Sequence, residues 1–384
     1  MAFDLKQLQR VEDQIQHDID SELCDGVNVI IAQGGEIALQ GTYGFAERAI
    51  GRESKRDDIY RILSLSKGFT NGLVYRALSE GKLALSTRVI DVIPEFLGTD
   101  PFHMLRKDQI NVWHLLTHTA GMPSTPNPGL GPDRFGVLAD VIEALSTVDA
   151  VFDAGTKVNY SPSINHALLG EMVRRVYGYD HFRDAARELL FDPLGMNETA
   201  FGLPAERADR VVPLKVYVHP EGFLSADDIE ILNDVIIGDN EMPWVGATTT
   251  IDDVFKYVEL LRKKGEHDGE QLIGRQVIEE ATRIQTGDMI NELYAGVNAG
   301  RGWLPPKGNF GLGVVMSGVG HAPNFFGPFT SPDAFGNNGA GSTLYWVDPT
   351  NDVSFVFLSS GVLDEADNVE RFQRLSTMVS AAIK

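Results

Sequence analysis

The chain has 384 residues, enough for one large domain or two of ordinary size, and at 43% hydrophobic and 23% charged it has the composition of a soluble globular protein. Lys and Arg total 33 against 54 for Asp and Glu, and the resulting net charge of −21 argues against nucleic acid or an anionic membrane surface as a partner. The lone Cys24 excludes an internal disulfide, the first residues lack the basic-then-apolar pattern of a secretory signal, and no apolar run is long enough to span a membrane, so a cytoplasmic location is expected.

In chain order, Leu5, Leu8, Val11, Ile15 and Ile19 recur at helical spacing and predict an amphipathic first helix. Two strands follow, Val27 to Ala32 and Glu36 to Tyr43, joined at Gln33-Gly34-Gly35 as a hairpin. A short extended segment from Ile59 to Leu63 then enters a helix that carries on to about Gly81. Beyond Ala84 the character becomes helical with long connections, including a Pro- and Gly-rich stretch from Gly121 to Pro132 whose length suggests function or mobility. Helical periodicity marks Phe135 to Leu145, Ile164 to Val176, Phe182 to Leu190, Asp252 to Leu261 and Arg275 to Thr282. Strands return at Phe310 to Met316, Gly341 to Val347 and Val353 to Leu358, and a last helix runs from Val369 to Ile383.

Strands at both ends with helices between predict an α+β fold. Its antiparallel sheet would be built from both chain termini and flanked by helices. Residues 1–83 and 300–384 would form the sheet domain and residues 84–299 a mostly helical inserted region.

The chemistry points to the start of the helix after Ile62. Ser64 and Lys67 are three residues apart, so on a helix they share a face one turn apart, within hydrogen-bonding reach of each other. A serine hydroxyl is a weak nucleophile until a base takes its proton, and a helix N-terminus favours the negative charge that develops. Read alone, Ser64 fits a helix cap and Lys67 a solvated first-turn residue just as well. Ser66 is offset around the helix and fits the nucleophile role less well.

Other features carry less. His114 and His118 are four apart, but no Glu follows His114 as in His-Glu-x-x-His, and no metal or organic cofactor is implied. There is no Gly-x-Ser-x-Gly elbow and no phosphate-cradling glycine loop. The acidic run from Asp364 through Glu370 reads most simply as solvated surface.

Five stretches taken together carry a resemblance: Ser64-Leu65-Ser66-Lys67; Trp113-His114-Leu115-Leu116-Thr117-His118-Thr119-Ala120-Gly121; Tyr160-Ser161 ahead of Leu168-Leu169-Gly170; Asp192-Pro193-Leu194-Gly195-Met196-Asn197-Glu198-Thr199; and Gly336-Asn337-Asn338-Gly339-Ala340-Gly341 with Trp346-Val347-Asp348-Pro349. In this order they resemble the serine beta-lactamase and penicillin-binding-protein superfamily. The resemblance is to the branch of class C beta-lactamases, D-alanyl-D-alanine carboxypeptidases and family VIII carboxylesterases and transesterases. It implies the beta-lactamase/transpeptidase-like fold.

The resemblance also implies roles. Ser64 would form an acyl-enzyme, Lys67 would serve as base or hold the local field positive, and Tyr160 would share the proton transfer, its phenolate stabilised by Lys67. Alone, Tyr160 fits a buried aromatic with a satisfied hydroxyl. The backbone N–H groups of Ser64 and Ala340 would make the oxyanion hole. Asn337, Asn338 and Gly339 align with the family's Lys-Thr-Gly or His-x-Gly triplet and would contact substrate.

Two departures bear on that substrate. Pro162 stands where the second motif has an Asn, and neutral Asn337 stands where a cation helps to hold a substrate carboxylate. Both losses favour an ester. Trp303, Phe325, Phe326, Phe329 and Phe335 crowd the approach to the third motif; Phe326 in particular would line an acyl pocket and set chain-length preference, although such rings also pack loops onto cores. The expected function is that of a serine carboxylesterase or acyltransferase on small to medium esters. The alternatives are a beta-lactamase or D-amino-acid amidase or peptidase and, from another class, a non-catalytic binding or sensor module. The expected partner is a small-molecule ester or amide substrate, and the oligomeric state is not legible.

Overall fold

The computed structural model describes residues 3–99, 107–217, 224–320 and 322–384. Its main sheet has seven antiparallel strands in the spatial order Val315–Met316, Phe335–Gly339, Thr343–Asp348, Val353–Ser360, Gly26–Gln33, Glu36–Glu47 and Arg52–Glu53. The two termini meet at its centre, where Gly26 to Gln33 pair antiparallel with Ser360 to Val353. Both strands are covered on both faces, which is why each reads as a continuous apolar run rather than an alternating one.

Strand parity divides the core in two. Val27, Val29 and Ile31 pack with Phe355 and Phe357 under the first helix, Leu5–Asp20, and the last, Glu365–Ala381. Ile30, Val356 and Leu358 face the opposite way into the larger core, with Phe69 and Tyr257. The first helix buries Leu8, Val11, Ile15 and Ile19 but leaves Leu5, at its frayed start, 71% exposed. Gly34 and Gly35 both take positive φ, 61° and 84°, as a two-residue turn matched to the sheet's twist requires.

The remaining departures from the expected elements have local causes. The strand expected from Phe310 shrinks to Val315–Met316, because Gly313 takes φ 85° and Leu312 N–H donates to Ala281 O. The helix expected over Phe135 to Leu145 is split into Pro132–Phe135 and Leu138–Leu145. The closing helix starts four residues early, where the Asp364 side chain accepts from Asp367 N–H at 2.8 Å.

A second sheet has four short strands, in the order Ala200–Phe201, Ala247–Thr249, Ile59–Arg61 and Val211–Val212. The segment leading to Ser64 belongs to this sheet, with Tyr60 opposite Thr249 and Arg61 opposite Thr248. The helix Ile251–Arg262, which follows the strand Ala247–Thr249 of this second sheet, packs on the main sheet. Among the described residues no helix is long and apolar enough to cross a membrane.

Candidate active site

Ser64 sits in a 3-10 turn, Leu63–Leu65, between the strand Ile59–Arg61 and the helix Ser66–Ser79. Leu63 takes φ 45°, a conformation a branched side chain adopts only at a cost, and its burial in the core holds it there. The turn leaves Ser64 partly exposed while its neighbours are buried. Ser66 is fully buried, and its Oγ accepts from Ala247 N–H at 3.0 Å. That hydroxyl is committed to structure.

Lys67 lies directly beneath Ser64, only 3% exposed. Its Nζ donates to Ser64 Oγ at 2.9 Å and to the Trp244 carbonyl at 3.0 Å. Among the described residues no carboxylate forms an ion pair with it. Burial therefore drives its pKa well below the ordinary lysine range, with Glu365 opposing.

Tyr160 is carried on the loop before the helix Ile164–Tyr177, and the Ser124 hydroxyl of the long Gly121–Pro132 stretch donates to its carbonyl. Tyr160 and Ser64 border the same cleft, and Lys67 Nζ stands 5.3 Å from the Tyr160 ring centre. The expectation that Lys67 would stabilise a phenolate is corrected here. Burial raises the Tyr160 pKa above its ordinary value, the Ser64 contact opposes, and Glu365 raises it further. Burial is the first cause at both groups and disfavours the charged form of each.

The third motif forms the strand Phe335–Gly339, and its pleat separates the aligned residues. Asn338 borders the cleft that also holds Ser64, Tyr160 and Ala340. Asn337 faces the other way: it is 6% exposed and its Nδ2 donates to Gly313 O at 3.4 Å. The expected contact between Asn337 and substrate is corrected to an interior one. Gly339 lies against the nucleophile turn, and Thr343 Oγ1 anchors the next strand to Ile62 O at 3.1 Å. Pro162 borders the same cleft and presents no polar atom from its side chain.

Phe326 is also corrected. Both it and Phe325 belong to the core beneath the closing helix, 1% and 7% exposed, but Phe325 also borders a small apolar cavity beside the cleft, with Phe310, Val315 and Pro323. Phe335 is buried in the sheet and Phe329 is 67% exposed. The cavity and the cleft share Tyr160, Tyr294 and Asn338 as a partition.

Three site residues escaped the sequence reading. His118 takes φ 56° and stacks on Tyr160 with ring centres 4.7 Å apart. Its Nδ1 accepts from Ser161 N–H at 3.0 Å, and burial, with Lys67 second, pushes its pKa down to about 3. Tyr294, in the helix Glu292–Gly300, donates its hydroxyl to Glu365. Glu365 itself borders the cleft, contrary to the reading of its acidic run as solvated surface. Burial raises its pKa, and the Tyr294 hydroxyl opposes that rise. No motif flags Tyr294 or Glu365, and His118, though it lies in the Trp113 to Gly121 stretch, carries no expected role there; only the fold brings the three to Ser64.

The family described as Beta-lactamase matches residues 11–377. Esterase EstB of Burkholderia gladioli is 30% identical over 223 residues, 54% of this chain and 54% of the relative. A Salmonella agona protein with a provisional D-alanyl-D-alanine carboxypeptidase name is 21% identical over 386 residues, 94% of this chain and 84% of the relative. The solved structure of a family VIII carboxylesterase has a TM-score of 0.78 at 22% identity, covering 98% of each chain.

Proposed function

We propose that this chain, which belongs to the beta-lactamase family of serine hydrolases, is a carboxylesterase or acyltransferase acting on small to medium esters. The observation that carries the choice of ester is the charge of the cleft. Glu365 borders it, and among its described lining residues there is no Arg, Lys or His to pair with a substrate carboxylate. Beta-lactams and D-alanyl termini both carry that carboxylate, and would find no cationic partner among these residues. The esterase relative supports the same choice.

In this reading, neutral Lys67 takes the proton of Ser64 as Oγ adds to the ester carbonyl. The carbonyl oxygen becomes an oxyanion received by the N–H groups of Ser64 and Ala340. Tyr160, protonated and bordering the same cleft as Ser64, passes a proton to the leaving alcohol and is itself resupplied from Lys67. The alcohol departs, leaving the acyl group on Oγ. Water or a second alcohol then adds to the acyl-enzyme, the same groups removing its proton, and Ser64 is released.

The test is turnover of p-nitrophenyl butyrate and of a chromogenic cephalosporin, side by side, with Ser64→Ala as control. Ester cleavage that is lost in Ser64→Ala, with negligible cephalosporin cleavage, is expected. Efficient cephalosporin hydrolysis would replace this reading with that of a beta-lactamase.

A further inference from the structure

We infer that Glu365 and the adjacent ring of Tyr294 form a subsite for a basic nitrogen, so that the preferred esters carry an amine or ammonium group close to the scissile carbonyl. The inference deepens the ester reading and rests on it.

Glu365 is the first residue of the closing helix and borders the same cleft as Ser64 and Ala340. The Tyr294 hydroxyl donates to one of its carboxylate oxygens, and among the described residues no cationic side chain forms an ion pair with it. The cations nearby are engaged elsewhere. Arg301 reaches Asp367 at 2.6 Å, Glu370 at 3.6 Å and Asp364 at 3.8 Å. Lys67 is held by Ser64 and the Trp244 carbonyl. A carboxylate drawn out of water without a counter-ion is costly, and a ligand cation would relieve that cost.

The surroundings suit such a ligand. The rings of Tyr160 and Tyr294 meet edge to face with centres 6.0 Å apart, and an aromatic face attracts a cation. Leu293 and Val297, on the same helix as Tyr294, supply apolar lining for alkyl groups on the nitrogen. The net charge of −21 also draws cations toward the molecule. A purely structural role, in which Glu365 only orients Tyr294, would give no discrimination by substrate charge.

The test uses two pairs of esters matched in shape. Dimethylaminoethyl butyrate against isopentyl butyrate places the nitrogen on the alcohol; ethyl gamma-aminobutyrate against ethyl pentanoate places it on the acyl group. The wild-type protein is expected to favour the charged member of at least one pair by about tenfold in kcat/KM. Glu365→Gln should erase that ratio, and Glu365→Asp, which keeps the charge, should retain part of it. Equal rates within both pairs, or a preference that survives in Glu365→Gln, would overturn the inference.

Turnover of p-nitrophenyl butyrate keeps the two readings apart. If that ester is cleaved and neither charged ester is favoured, the subsite alone fails. If no ester is cleaved, titration of Ser64→Ala with dimethylaminoethanol and with isopentanol decides. Tighter binding of the amine upholds the subsite, and equal or absent binding overturns it.

Discussion

Gly339 packs so closely on Ile62 that a β-carbon at position 339 would stand 2.2 Å from the Ile62 carbonyl oxygen and 3.1 Å from Leu65 N. The strand end that carries Ala340 is therefore set by direct backbone contact with the turn that carries Ser64. Gly339→Ala must move the two apart, and with them the two proposed oxyanion donors. Turnover of p-nitrophenyl butyrate is expected to fall by about 10²- to 10³-fold while circular dichroism still reports a folded protein. Wild-type turnover would mean that the Ala340 N–H has no part in the reaction.

The depressed pKa of Lys67 fixes the sign of the pH dependence. The amine acts as a base only when unprotonated, so kcat/KM should rise with pH through that lowered pKa and be lost as pH falls below it. Tyr160, whose pKa is raised, should keep its proton well into the alkaline range. The profile should therefore be a broad plateau with its acid limb far below the ordinary lysine value of 10.5. An acid limb centred near that value would remove Lys67 from the role of base.

Adjacent phenylalanines should behave as opposites. Phe326→Ala deletes a ring from a closed core and is expected to cost about 3 to 5 kcal/mol, measured by denaturant unfolding. Phe325→Ala enlarges the apolar cavity beside Ser64's cleft and should shift the p-nitrophenyl ester preference toward longer acyl chains. A shift produced by Phe326→Ala instead would reverse the assignment.

His118 should act through Tyr160 without titrating. With its pKa near 3, it stays neutral across the working range and adds no limb to the pH profile. Its positive φ suits Asn better than Ala, and Asn also brings an acceptor for Ser161 N–H. His118→Ala is expected to lose about 1 to 3 kcal/mol by leaving that N–H unpaired, and His118→Asn less. Both remove the ring beneath Tyr160, so kcat should fall in both while the shape of the pH profile is kept. Equal stability of the two variants would show that the hydrogen bond is not what matters.

What could be read from the sequence follows how local each signal was. Ser64 and Lys67 are set by one helical turn, and the Gly34-Gly35 hairpin by two positive φ angles, so both were legible. Asn337 and Asn338 show where that stops. Each fits a strand, but which of them faces the cleft depends on pairing with Thr343–Asp348, a tertiary fact. Glu365 was hidden among equally acidic neighbours, because only the packing of the Glu292–Gly300 helix makes its surroundings different from theirs. The strand segment Ile59–Arg61 was found, but its partners Ala247–Thr249 and Val211–Val212 are too short to show a period.

The central pairing of the sheet also governs when this protein can begin to work. Ser360 Oγ bonds Gly26 O across 334 positions of sequence, and the strands that carry Asn338 and Ala340 are anchored through that pairing. Contacts so distant along the chain form late, after the entropy of closing a long loop has been met. During synthesis the Ser64 turn emerges early and finds its strand partners in the middle of the chain, yet the strand Phe335–Gly339 that packs against it follows only much later. A chain cut before that strand would carry Ser64 and Lys67 without the Ala340 N–H, the second of the two proposed oxyanion donors.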